Sequence, residues 1–160
     1  MRTLLLCSLL IGCSSPSDGD KSDSGSSHDH SSHGDTDLPD DFDGAQEQLS
    51  SGGLALVSYT TETGDIPEST EFSISISLMD PAATDPGTLL SNATVTGADA
   101  TMPSHGGHGM TVTPVVTDNG DGTATAAPIK LHMPGYWVLH VDFEVDGVTD
   151  TVDFDIDCCD

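Results

Sequence analysis

From residue 54 onward the chain alternates apolar and polar positions with a period of two. Phe72, Ile74, Ile76 and Leu78 are interleaved with Ser73, Ser75 and Ser77. Trp137, Leu139, Val141, Phe143 and Val145 are interleaved with Val138, His140, Asp142 and Glu144. Val148, Val152, Phe154 and Ile156 share the parity of a third run, which Asp150 interrupts. Successive strand side chains point to opposite faces, so each run predicts a strand with one buried face. Residues 54–59, 93–100, 111–117 and 123–133 read as weaker strands rich in Thr, Val and Ala. No stretch carries a convincing helical period. About seven strands, separated by Gly, Pro and Asp, predict an all-β, immunoglobulin-like antiparallel β-sandwich. Asp146-Gly147 joins the last two strands as a tight hairpin turn.

The first half has a different texture. In residues 1–12, Arg2 precedes the apolar run 4–11, which is too short to span a bilayer and reads as a secretion signal. Residues 13–48 are rich in Ser, Asp and Gly, a composition that cannot bury a core and predicts a disordered tether. Within it, His28, His30 and His33 form a short tract able to hold a metal loosely, or a polar tether that merely contains His. Residues 49–160 are left for the sandwich domain.

Charge narrows the function classes. The chain has 27 Asp and Glu against three Lys and Arg, a formal net charge of −24. Phosphate contacts need Lys and Arg, so nucleic acid is excluded as a partner. An acidic surface attracts cations and keeps the protein soluble. No Ser/His/Asp arrangement, phosphate-binding loop or paired carboxylates in a recognisable cleft can be placed, so no enzyme activity is expected. The pair Cys158-Cys159 near the C-terminus reads as a vicinal disulfide, an interchain pair, thiolate ligands or an incidental tail feature, with nothing to choose among them.

The densest candidate chemistry lies in Met102-Pro103-Ser104-His105-Gly106-Gly107-His108-Gly109-Met110. Thioether sulfur is a soft ligand favoured by copper(I), and imidazole suits both copper oxidation states. Gly, Ser and Pro between the ligands let the backbone bend and the side chains converge. Asp118-Asn119-Gly120-Asp121-Gly122 lacks the spacing and terminal Glu of a calcium loop, and reads as a hairpin turn. A two-residue turn at Asn119-Gly120 or Gly120-Asp121, extended backwards, sets His108 opposite residues 131–133, with Pro114 able to interrupt the ladder. Opposed residues lie about 4.5–5.5 Å apart at Cβ, within reach of the loop. Met133 shares the parity of Ile129 and Leu131 and is assigned to the core, which leaves His132 as the ligand. The candidate metal set is therefore Met102, His105, His108, Met110 and His132, for copper. His140 reads as a solvated surface residue, Met79 as core filler, and Trp137 as core.

Two resemblances extend this reading. Leu10-Ile11-Gly12-Cys13 resembles the lipobox of bacterial lipoproteins, which implies cleavage before Cys13 and lipidation of its thiol; Ser14 implies the outer membrane. The 102–110 loop, the 118–122 turn and Met133-Pro134-Gly135-Tyr136-Trp137-Val138-Leu139 resemble the YtkA-like domain, which is related to FixH-like proteins. The likeness covers residues 54–156, and His-Gly-Gly-His carries one Gly more than the usual His-Gly-His. It implies a small secreted β-sandwich with copper ligands at Met102, His105, His108 and Met110. The expected function is a copper-binding module anchored by lipid on Cys13, facing the periplasm or exterior. It would buffer copper or exchange it with a donor or acceptor protein. A structural or adhesive immunoglobulin-like lipoprotein domain without metal is the competing expectation.

Overall fold

The computed structural model describes residues 38–159. The signal, Cys13 and the His28, His30 and His33 tract lie outside the described residues. The described residues build nine strands: β1 (Glu47–Leu49), β2 (Leu56–Thr61), β3 (Phe72–Met79), β4 (Ala93–Met102), β5 (His108–Gly109), β6 (Val115–Asp118), β7 (Thr123–Ile129), β8 (Gly135–Val145) and β9 (Val148–Cys158). They form two antiparallel sheets, one in the order β1-β2-β3-β7-β6 and the other β5-β4-β8-β9. The all-β sandwich predicted from the alternation is what the chain forms. The additional strands beyond the expected seven are the short β1 and β5. β1 pairs with β2 and runs across the expected tether boundary at 48/49.

The alternating runs bury the faces they predict. Ile74, Ile76 and Leu78 of β3, Trp137, Leu139, Val141 and Phe143 of β8, and Val152, Phe154 and Ile156 of β9 are all buried. Tyr59 of one sheet meets Phe154 of the other edge-to-face, with ring centroids 4.9 Å apart, a favoured aromatic geometry that adds to area burial. Val148 departs from the pattern: it is 57% exposed, directly after the Asp146-Gly147 turn at the closed tip of the β8–β9 hairpin.

A carboxylate stitches each open side of the sandwich. Asp118, at the end of β6, accepts the Val95 N–H of β4 at 3.0 Å and the Gly120 N–H at 2.6 Å. The Val95 contact falls where the β4–β8 register shifts at a bulge. On the other side Asp150 of β9 accepts the Ser50 hydroxyl at 2.6 Å and the Gly52, Leu54 and Thr151 N–H groups. A Cβ on Gly52 would come within 2.8 Å of the Asp150 carboxylate, so this close approach needs glycine. Burial pushes the Asp150 carboxyl up, but the Ser50 hydroxyl and the three N–H donors outweigh it and hold it below its ordinary value.

The 118–122 segment is a turn, although a longer one than expected. Asp118 pairs with Ala124 and the Asn119 N–H donates to the Thr123 carbonyl at 2.9 Å, which leaves a three-residue loop. Asp121 turns back to the Thr123 hydroxyl and N–H, and these bonds lower its pKa.

Candidate metal centre

The His/Met segment is a reversal that folds β5 back onto the end of β4. After Met102 a single 3-10 turn (Pro103–His105) is closed by the Gly106 N–H donating to the Pro103 carbonyl at 3.2 Å. Gly106 and Gly107 both take positive φ, 69° and 77°, and the Gly107 N–H reaches the Met102 carbonyl at 3.0 Å. Two consecutive left-handed residues are readily supplied only by glycine. The second Gly of His-Gly-Gly-His thus belongs to the reversal that returns His108 to β4. Met102 and His108 become direct cross-strand partners, and directly opposed residues in an antiparallel pair project to the same face.

His132 arrives from the other sheet. It lies between β7 and β8, beside Leu131, which is wholly buried. Ser69 clamps this backbone: its N–H donates to the Leu131 carbonyl at 3.0 Å and its hydroxyl to the His132 carbonyl at 3.1 Å. Ser69 itself sits at φ 51°, an unfavourable conformation for a side chain other than Gly or Asn. Trp137 is fully buried and its indole N–H donates to the Met133 carbonyl at 2.9 Å. The His132 ring stands edge-on to Trp137, with centroids 5.6 Å apart at 71°.

The outcome is an imidazole pair. His108 Nε2 and His132 Nε2 are 3.1 Å apart, and the rings meet edge-to-face with centroids separated by 5.1 Å. His132 Nδ1 is buried and has no hydrogen-bond partner among the described residues. One neutral ring must donate through Nε2 and the other accept. Whichever way the proton lies, His132 keeps a buried polar nitrogen that nothing satisfies, a costly arrangement. Two nitrogens each about 2 Å from a shared ion, and this far apart, subtend roughly 100° at it, near a tetrahedral angle.

The remaining expected ligands divide. Met102 is 1% exposed and belongs to the core cluster. It lies on the His108 face, with its terminal methyl packed beside Gly135, 3.6 Å from where a Cβ there would sit. Met110 is partly buried against the core and lines the cleft with Thr96, Ala98, Pro114 and Val116. His105 is exposed and, among the described residues, forms no hydrogen bond, ion pair or ring contact. Met133 packs on the core, partly buried. Among the described residues no group of three His, Cys, Asp or Glu gathers to hold an ion; Met102 is the cross-strand partner of His108.

The register argument for His132 reaches the right neighbour by the wrong ladder. β5 pairs with β4 in the second sheet, whereas the β6–β7 hairpin belongs to the first. His108 therefore meets His132 across the end of the sandwich and not along a continued hairpin. His140 also departs from the solvated reading. Its Nδ1 lies 2.7 Å from Asp153 Oδ1 and its Nε2 2.9 Å from the Thr101 hydroxyl. Ser69 and Trp137, which position His132, carried no sequence signal as site residues. Ser69 is 63 positions from His132, and Trp137 reads only as core. No family model matches the chain, and no curated protein matches it.

Proposed function

We propose that this chain is a copper-binding module that buffers or hands over the metal at the cell envelope. His108 and His132 are its nitrogen ligands, and Met102 is its soft ligand from the core side. The observation that carries the reading is the 3.1 Å approach of two imidazole nitrogens beside an unsatisfied ring nitrogen. An ion between the Nε2 atoms replaces a marginal nitrogen–nitrogen hydrogen bond with two coordinate bonds. Thioether beside imidazole favours copper over zinc, which has little use for Met. His105, exposed on the reversal, is a first contact for an incoming ion, and Met110 supports the loop from the core side. Lipid on Cys13 and the Ser-, Asp- and Gly-rich segment that follows it would hold the domain at the outer membrane within reach of a donor or acceptor protein. The likeness of the 102–110 and 133–139 segments to YtkA-like domains supports the same reading.

A metal-free structural or adhesive module is the second reading, and the isolation of His105 in solvent favours it. Competition titration with copper(I) separates the two. The copper reading expects the wild-type chain to hold one ion at least about a hundredfold more tightly than His108→Ala/His132→Ala, beyond the roughly 10–100-fold that outer partners contribute. Equal affinities would sink it and leave the structural reading.

A further inference from the structure

The end of β9 carries chemistry that the imidazole pair does not use. Cys158 and Cys159 are joined by a disulfide between adjacent residues. Cys158 is fully buried in the core cluster. Cys159 is partly exposed and lines an open groove of about 570 Å³ together with Phe42, Tyr59, Ile66, Asp65 and Asp155. The groove therefore offers apolar and aromatic side chains, three carboxylates (Asp65, Asp155 and Asp157), and the outer cysteine of a disulfide whose other cysteine is withdrawn. Asp155 also accepts the Tyr136 hydroxyl at 2.7 Å. Burial first, and then the Asp155 carboxylate, push the Tyr136 phenol up to about 12, so it remains a donor at neutral pH.

We propose that Cys158–Cys159 is a thiol–disulfide exchange site whose groove selects positively charged thiols over negatively charged ones. The incoming thiol loses its proton and its thiolate attacks the Cys159 sulfur. The Cys158–Cys159 bond breaks and its electron pair leaves on the Cys158 sulfur. Burial disfavours a thiolate there, so Cys158 takes up a proton. A second thiolate then attacks the small-molecule sulfur of the mixed disulfide, releasing Cys159 as a thiolate that is protonated in turn. Two thiols become one small disulfide, and the protein disulfide becomes two thiols. The reverse reaction oxidises the pair with a disulfide of the same class. Asp65 and Asp155 attract an ammonium-bearing thiol into the groove and repel a carboxylate-bearing one, in a chain of net charge −24. The site is independent of the copper reading, and its test contains no metal.

The test exposes the full chain to cysteamine (cationic), 2-mercaptoethanol (neutral) or glutathione (anionic), and quenches by alkylation. Mass spectrometry of the C-terminal peptide then reads reduction at Cys158 and Cys159 alone. Each rate is divided by that thiol's rate with an uncharged small disulfide, which removes intrinsic reactivity. At low ionic strength the normalised rate for cysteamine should exceed that for glutathione roughly tenfold, and the ratio should shrink in molar salt. Asp65→Asn/Asp155→Asn should cut the ratio about threefold, and Asp65→Asn alone should cut it partly without touching the Tyr136 bond. Asp85→Asn removes a charge outside the groove and should leave the ratio unchanged. Equal normalised rates overturn the proposal. So does a ratio that Asp85→Asn lowers as much as Asp65→Asn, or a disulfide that opens to none of the three thiols until the chain is denatured.

Discussion

At His140 each ring nitrogen meets an oxygen: Nδ1 lies 2.7 Å from Asp153 Oδ1 and Nε2 lies 2.9 Å from the Thr101 hydroxyl. At His132 one nitrogen meets another imidazole nitrogen at 3.1 Å and the other, buried, finds no hydrogen-bond partner among the described residues. Both residues sit at intermediate exposure on the same sandwich. The difference lies in the partners the fold provides. Asp153 is the cross-strand partner of His140 on β9 and Thr101 lies on the neighbouring β4, so the flanking strands supply an oxygen to each ring nitrogen. His132 lies off the ladder, between β7 and β8, where the nearest ring nitrogen comes from the β4–β5 reversal. A ring satisfied on both sides gains nothing from an ion. A pair of rings held nitrogen to nitrogen would gain two coordinate bonds, one at each Nε2, from a single ion.

The most direct way to break this contrast is to move the same substitution between the two sites. Single His108→Ala and His132→Ala variants should each weaken copper(I) binding by about a hundredfold or more, since losing a direct ligand exceeds the roughly 10–100-fold effect of outer partners. His140→Ala should leave the affinity within about threefold. Competitive titration against a chromophoric chelator reads all three. Should His140→Ala match His132→Ala, the imidazole pair would not be the site.

The two sites also show where sequence reasoning reaches. The strict alternation in β3, β8 and β9 located the buried faces, because a period of two has only one geometric reading in a sandwich. Parity with Ile129 placed Leu131 correctly in the core and kept His132 available. It missed β5, because two residues carry no periodicity, and β1, because it opens in the polar Asp- and Ser-rich region. The register of the 118–122 loop depended on one extra residue that composition does not reveal. The oxygen partners of His140 depend on which strand lies on either side of β8, a non-local fact that no local pattern records. Asp150 did leave a trace: a polar residue interrupting an apolar parity. Its meaning, four donors converging from the β1–β2 connection and β9, needed the fold.

A thioether test sharpens the contrast on the metal's side. Met102→Leu conserves volume in the core, so stability should change by less than about 1.5 kcal/mol. Copper(I) affinity should fall about tenfold, while copper(II), less dependent on a soft donor, should shift less than about threefold. Parallel losses for both oxidation states would remove Met102 from the ligand set and leave the imidazoles alone.

Asp150 extends the comparison to a carboxylate that is as fully partnered as His140. Asp150→Asn keeps one acceptor oxygen but loses the charge that gathers the Ser50 hydroxyl and three N–H donors. Urea unfolding at neutral pH should show a loss of about 1–3 kcal/mol. The folded-state pKa of Asp150 lies below its ordinary value. Its contribution is therefore fully present above the unfolded value, about 3.9, and is lost as pH falls through the folded value. The gap between wild type and variant should accordingly close below about pH 4. A gap that stays constant from pH 7 to pH 3 would assign the effect to shape and not to charge.

The smallest effect belongs to His140 itself. Its contact with Asp153 is solvent-screened, with side-chain exposures of 35% and 60%. Exposed pairs of this kind are worth about 0.2–1 kcal/mol, because the charges are screened and two side chains must be held in one geometry. His140→Gln retains a donor and an acceptor on a side chain of similar reach, and should cost at most about 1 kcal/mol in urea unfolding. Copper titration of the same variant should be indistinguishable from wild type. A full oxygen complement therefore predicts both a small structural cost and no metal phenotype, whereas His132 predicts the opposite pairing. Removing the His132 ring relieves a buried unsatisfied nitrogen and, on the copper reading, takes away a ligand, so its stability cost should be smaller than its copper cost. A His140→Gln variant that loses copper, or a His132→Ala variant that loses stability but keeps copper, would reverse the assignment of the two rings.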